Sequence, residues 1–144
     1  MKDILSINTA LLQELHEKAK ENVRLRMNHD LRTSTADTSQ RMLNVLEPGT
    51  VVPIHRHEET SETVVCLEGR FDEIFFEEVT SAEQLGDSRC TDVACKREFK
   101  EISRVVVCPR EGQFGVQIPK GAWHTIEVYE PSTIFEAKDG AYKG

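Results

Sequence analysis

Gly49-Thr50-Val51-Val52-Pro53-Ile54-His55-Arg56-His57-Glu58-Glu59-Thr60-Ser61-Glu62-Thr63-Val64-Val65-Cys66-Leu67-Glu68-Gly69 is the stretch whose reading decides the fold. Gly49, His55, His57, Glu62 and Gly69 fall in the pattern G-x5-H-x-H-x4-E-x6-G. Two histidines one residue apart cannot share a helix face. On a strand they point the same way, ~6.6–7 Å apart along the backbone, so both imidazoles reach one metal ion. A carboxylate returning on the next strand, Glu62, supplies a third, anionic ligand, and the flanking glycines suit the turns that bring it back. Histidine with glutamate suits a borderline or hard divalent ion rather than a soft one held by thiolates. The stretch predicts a metal site on a β-scaffold.

Downstream, Pro119-Lys120-Gly121-Ala122-Trp123-His124 has the form P-x-G-x-x-H. Proline and glycine set a turn, so His124 stands at the entry of the strand that follows. Alternation places His124, Ile126 and Val128 on one face, with Trp123, Thr125 and Glu127 on the other. An inward His124 completes a set of three histidines and one glutamate around the ion.

Outward from these blocks the texture is mostly β. Met42–Leu46, Thr50–His57, Thr63–Glu68 and Arg70–Val79 are short runs rich in Val, Ile, Phe and Thr, separated by Pro-Gly, acidic or glycine turns. Ile102–Cys108, Phe114–Ile118, Trp123–Tyr129 and Thr133–Ala137 follow a charged insert. About eight strands predict an all-β jelly-roll or small barrel. Ahead of them, residues 9–22 read as one amphipathic helix with the stripe Leu11, Leu12, Leu15 and Ala19, capped by Asn8 or Thr9. The organisation expected is a helix and loop over residues 1–40, with Thr33–Gln40 a surface loop, packed on a barrel over 41–144. The insert, at about 80–101, carries mixed charge and little apolar periodicity, as a solvated excursion or a lid over the barrel mouth does.

At 144 residues the chain fits one domain, of a size that buries ~68–70% of its unfolded surface. The 18 Lys and Arg against 25 Asp and Glu leave a net charge of −7. Without a basic stripe, such a chain argues against nucleic acid or an anionic membrane as partner. No stretch approaches the ~20 apolar residues of a transmembrane helix, and no signal-type apolar core opens the sequence. A cytoplasmic location and four reduced cysteines are therefore expected. Cys66 and Cys108 sit in apolar runs; Cys90 and Cys95, at a C-x4-C spacing, leave a local disulfide or half a zinc site open. Exposed apolar sheet surface makes a symmetric homodimer the default.

The two histidine blocks resemble the paired motifs of the cupin superfamily. The second block departs in having six residues between Gly112 and Pro119, and Val128 stands where that family carries asparagine. Arg41-Met42-Leu43-Asn44-Val45-Leu46-Glu47-Pro48-Gly49-Thr50, His55-Arg56-His57 and Ile118-Pro119-x-Gly121-x-Trp123-His124-Thr125 further resemble the WbuC-type cupin-fold metalloproteins. So do Leu25-Arg26-Met27-Asn28-His29 and the ending Phe135-Glu136-Ala137-Lys138-Asp139-Gly140-x-Tyr142. The resemblance implies a double-stranded β-helix barrel with an N-terminal helix and one divalent ion (Fe, Zn, Ni or Mn) on His55, His57, Glu62 and His124. It also implies an association with bacterial surface-polysaccharide (O-antigen) gene clusters. It brings Arg26, Asn28 and His29 to the pocket, the first two as substrate contacts and His29 as the proton-moving residue, since histidine titrates near neutrality. A solvent-exposed loop histidine is the competing reading of His29. Arg41 opens a strand, where it binds a substrate carboxylate or phosphate or pairs with a surface acid. Cys66 shares the strand parity of Glu62 and Val64 and so lines the same cavity. Glu136 and Lys138 read as an exposed pair.

Three functions compete. One is a metalloenzyme, isomerase- or epimerase-like, acting on a sugar or sugar-nucleotide intermediate, the ion polarising a substrate oxygen. A second is an iron-dependent dioxygenase of a small molecule. The third is a non-enzymatic, metal-dependent sugar-binding or regulatory module, because one scaffold hosts many functions.

Overall fold

The computed structural model describes residues 4–79 and 97–140. Asn8 opens the helix α1 (Thr9–Glu21), its side chain accepting from the Leu11 amide at 3.0 Å. Lys18 and Lys20 occupy the last turn, where cations offset the helix dipole. Six strands follow among the described residues: β1 (Arg26–Asp30), β2 (Ser39–Leu46), β3 (Glu62–Val79), β4 (Glu98–Val107), β5 (Gly115–Ile118) and β6 (Trp123–Asp139). They hydrogen-bond antiparallel in the order β1-β2-β6-β3-β4, with β5 pairing the start of β3.

Strand β2 explains the layering. Leu43 and Val45 face outward to Leu15 and Ala19 of α1, with Met27 of β1 in the same cluster. Leu46 faces inward to Val64, Cys66, Phe71, Val107, Ile118, Val128 and Ile134. The helix therefore covers one outer face, and a second apolar cluster fills the barrel. His16 ties the two together, its ring nitrogens lying 3.1 Å from Glu47 Oε1 and 2.9 Å from Thr133 Oγ1.

The strand plan departs from the sequence reading in five places. Thr63–Glu68 and Arg70–Val79 are one strand, β3, and Trp123–Tyr129 and Thr133–Ala137 are one strand, β6. Gly69 marks a bend inside β3 rather than a turn. Its φ is +109°, and an added Cβ would stand 2.3 Å from Ser132 Oγ and 2.6 Å from Pro131 O. The register between β3 and β6 shifts between Cys66 and Phe71, and Ser132 Oγ accepts from the Arg70 amide at 3.1 Å. A bulge of this kind bends the strand and increases its twist, and the Ser132 hydroxyl takes up the Arg70 amide there. Signals that separate strands in the sequence thus serve as barrel corners.

Thr50–His57 is not a ladder strand. Its one β-bridge joins His55 to His124, and Pro53 has no amide hydrogen to donate. Arg26–Asp30, expected within the N-terminal helix and loop, is a strand paired with Leu46–Met42. Glu98–Glu101 belongs to β4 and pairs with Phe76–Val79, so the charged insert ends in an exposed edge strand whose charges discourage further pairing. Residues 80–96, with Cys90 and Cys95, and the lid they were considered for lie outside the described residues. Among those residues no helix is long and apolar enough to cross a membrane.

Candidate metal centre and cavity

The loop after β2 and the start of β6 bring the histidines together. His55 and His124 exchange backbone hydrogen bonds at 3.0 and 2.8 Å, and the Gly121 amide donates to the His57 carbonyl at 2.8 Å. The turn Pro119-Lys120-Gly121-Ala122 closes through Ala122 N to Pro119 O at 3.2 Å, with Gly121 at φ +84°. One ligand-capable atom from each of His55, His57 and His124 lies within 4.8 Å of the others, close enough to hold a metal ion.

Ring orientation suits that role. A carbonyl can only accept, so His55 Nδ1 donates to Pro53 O at 2.9 Å and His124 Nδ1 donates to Ala122 O at 2.9 Å. Each bond leaves Nε2 as the ring's lone-pair atom, the arrangement that orients metal-ligating imidazoles. Burial drives the His124 pKa down to about 4, and the neighbouring His55 and His57 push the same way against the Ala122 bond. His124 is therefore neutral at pH 7, as a ligand must be. Glu62, 5% exposed, brings a carboxylate oxygen to 2.7 Å from His57 Nε2. These donors fit a divalent ion of borderline character.

Beside the histidines opens a cavity of about 530 Å³. Arg24, Arg26 and Asn28 line it from β1 and the turn before it, Gln40, Met42 and Asn44 from β2, and Glu136 and Lys138 from β6. Arg26, Asn28, His55, His57 and Glu62 thus meet at one cavity, with His124 against the histidine rings. The structure does not bring the other three sequence-derived candidates there. His29 has the opposite parity to Arg26 and Asn28 and pairs with Leu43, on the side where Met27 and Leu43 pack with the helix. Arg41 likewise alternates away from Gln40 and Met42 and forms an ion pair with Asp37. Cys66 faces inward but lies in the apolar cluster, its Sγ donating to Glu68 O at 3.1 Å. Burial pushes its thiol up to about 11 and leaves no thiolate at neutral pH.

Residues 7–85, more than half of the chain, match the family described as a domain of unknown function, DUF6016. The chain belongs to the DUF6016 family. No curated protein matches this DUF6016 chain. It is similar in structure to a cupin superfamily protein from Desulfitobacterium hafniense, with a TM-score of 0.53, 12% identity, and coverage of 81% of this chain and 78% of that one. A conserved protein of unknown function from Streptococcus pyogenes is similar too, at a TM-score of 0.53 and 10% identity, with 84% and 79% covered. At such identities the likeness shows the fold, a cupin barrel carrying an N-terminal helix.

Sequence reasoning missed the interior carboxyls of this DUF6016 chain. Glu136 is no exposed partner of Lys138. It lines the cavity, and burial, reinforced by Glu62, pushes its carboxyl up to about 8 against the opposing Asn44 side chain. Glu73, 4% exposed, is raised well above the usual carboxylate range by burial and then by Glu62 and Glu136. Parity was the available signal: Glu73 shares the strand parity of Phe71 and Phe75, and Glu136 that of Ile134. Gln40 Oε1 and Asn44 Oδ1 are buried without a hydrogen-bond partner, and polar atoms left so are costly unless something fills their need.

Proposed function

We propose that this chain is a metal-dependent cupin of the WbuC type, holding one divalent ion on His55, His57 and His124 with Glu62 as fourth ligand. Its ligand is a small, sugar-like molecule, and its setting is bacterial surface-polysaccharide metabolism. The observation that carries the reading is the convergence of three histidine rings and a buried carboxylate on one polar cavity. When bound, the ion supplies Lewis acidity toward a substrate oxygen. The chain's own groups do the rest. Pro53 and Ala122 carbonyls fix the His55 and His124 rings. Asn28, Gln40 and Asn44 offer hydrogen bonds to hydroxyls. Glu136 faces the same cavity as a carboxyl whose pKa burial raises, a group able to donate a proton to a substrate oxygen and take it back.

Elemental analysis of purified protein tests the ion. About one equivalent of divalent metal per chain is expected, lost in His57→Ala and in His124→Ala and weakened in Glu62→Gln, because removing a ligand costs most of the site's affinity. Metal-dependent binding or turnover across a panel of nucleotide sugars tests the substrate class. A full-length protein that takes up no metal, or whose loaded form neither binds nor converts any of the panel, would remove the basis of this reading.

A further inference from the structure

We infer that Arg24 and Arg26 form an anion-binding end of the cavity, taking the carboxylate or phosphate of a hydroxylated small molecule whose other oxygens lie toward the histidines. The inference rests on the cavity being a ligand site, as proposed above, and adds the charge of the ligand.

Three observations carry it. The first is charge. The chain as a whole is −7, yet the cavity lining holds Arg24, Arg26 and Lys138, with Arg56 paired to Glu58 at 2.8 Å, against the carboxyls of Glu62 and Glu136. Positive groups concentrated at a concave polar surface on an acidic protein favour an anionic occupant.

The second is how the arginine pair is built. Leu25, between them, has φ 56°, in the left-handed region that a branched side chain rarely adopts. The Leu25 amide donates to Asn22 O and its carbonyl accepts from the Glu47 amide, both at 2.9 Å, which hold it there. Thr50 pins both neighbours: its hydroxyl donates to Arg24 O at 2.6 Å and accepts from the Arg26 guanidinium at 3.3 Å, which also donates to Val51 O at 2.9 Å. Strain kept by this much surrounding structure marks sites where geometry serves a ligand. Here it sets two guanidinium-bearing residues on one wall, and guanidinium forks match carboxylate and phosphate oxygens.

The third is the polarity of the remaining wall. Gln40 is 3% exposed, and its Oε1 and Asn44 Oδ1 are unpartnered acceptors. Both residues line the same cavity. Acceptors so placed call for donors, which hydroxyls on the body of the ligand provide. An anionic end with a hydroxylated body satisfies both sets of groups; a neutral apolar ligand satisfies neither.

Calorimetric titration of the metal-loaded full chain with glucose, glucuronate, glucose 1-phosphate and inorganic phosphate tests this. Glucuronate or glucose 1-phosphate is expected to bind at least about tenfold tighter than glucose, the contribution of one charge-assisted contact. The arm that wins tells carboxylate from phosphate. Arg24→Gln, which leaves the Thr50 bond to the backbone in place, should erase most of that preference, Arg24→Lys should restore part of it, and Arg32→Gln should leave it unchanged. Equal affinity for charged and neutral probes, no binding by any of them, or a preference untouched by Arg24→Gln would overturn the inference. Repeating the series after chelation separates it from the metal reading. A preference that persists without metal and falls with Arg24→Gln supports the arginine site whatever the metal does. A preference lost on chelation but indifferent to Arg24→Gln places the anion on the ion and overturns it.

Discussion

Replacing Glu136 by Gln should change how the metal-free protein's stability depends on pH. The carboxyl ordinarily ionises at 4.5, and in the fold burial and then Glu62 push it up to about 8. Between those two values the native state holds a proton that the unfolded state has released. Linkage then makes stability fall as pH rises across that window and level off above it. At 1.36 kcal/mol per pH unit the full gap corresponds to about 5 kcal/mol. Glu136 borders the open cavity, so water shares in solvating its charge, and a realised cost of about 2 kcal/mol is the reasonable expectation. Glu136→Gln keeps the shape and removes the charge. The variant should match the parent near pH 4.5, exceed it by about 2 kcal/mol at pH 9, and melt there roughly 4–8 °C higher, at 2–4 °C per kcal/mol for a chain near this size. Its pH slope should shrink without vanishing, because Glu73 is raised in the same direction. Denaturant titrations with chelator, from pH 4.5 to 9, provide the measurement. Parallel profiles for the two proteins, or a variant less stable at pH 9, would show that the carboxyl does not sit in the environment described.

Gly69→Ala should destabilise by about 3 kcal/mol, adding a clash with Ser132 and Pro131 to the cost of a positive φ. Gly112→Ala, at φ +85° with nothing within 4 Å, should cost only about 1 kcal/mol; equal losses in thermal melts would contradict the corner packing. Cys66 should be labelled by a thiol reagent at neutral pH no faster than the chain opens, given its burial and raised thiol pKa. Site-resolved mass spectrometry that finds it modified as fast as in denatured protein would place it outside the core.

The short-range chemistry was legible in the chain. Helix α1 follows from a capping Asn8 and an apolar stripe, and His55, His57 and His124 could be singled out because period-two alternation and a Pro-Gly turn are local properties. Register and burial are not local. Whether Gly69 turns the chain or bends it depends on Ser132, which packs against it from β6. Whether Glu136 is exposed depends on Glu62 and Asn44, brought beside it by β3 and β2. The sequence by itself determined a β-scaffold with histidines spaced to hold a metal ion, because side-chain type and spacing are enough to single out a candidate ligand set. Only the tertiary structure decided that His29 and Arg41 turn from the cavity, that Arg24 joins its lining, and that Glu73 and Glu136 turn inward. One residue of strand parity reverses a side chain's face, and that parity is settled by partners far away in the chain.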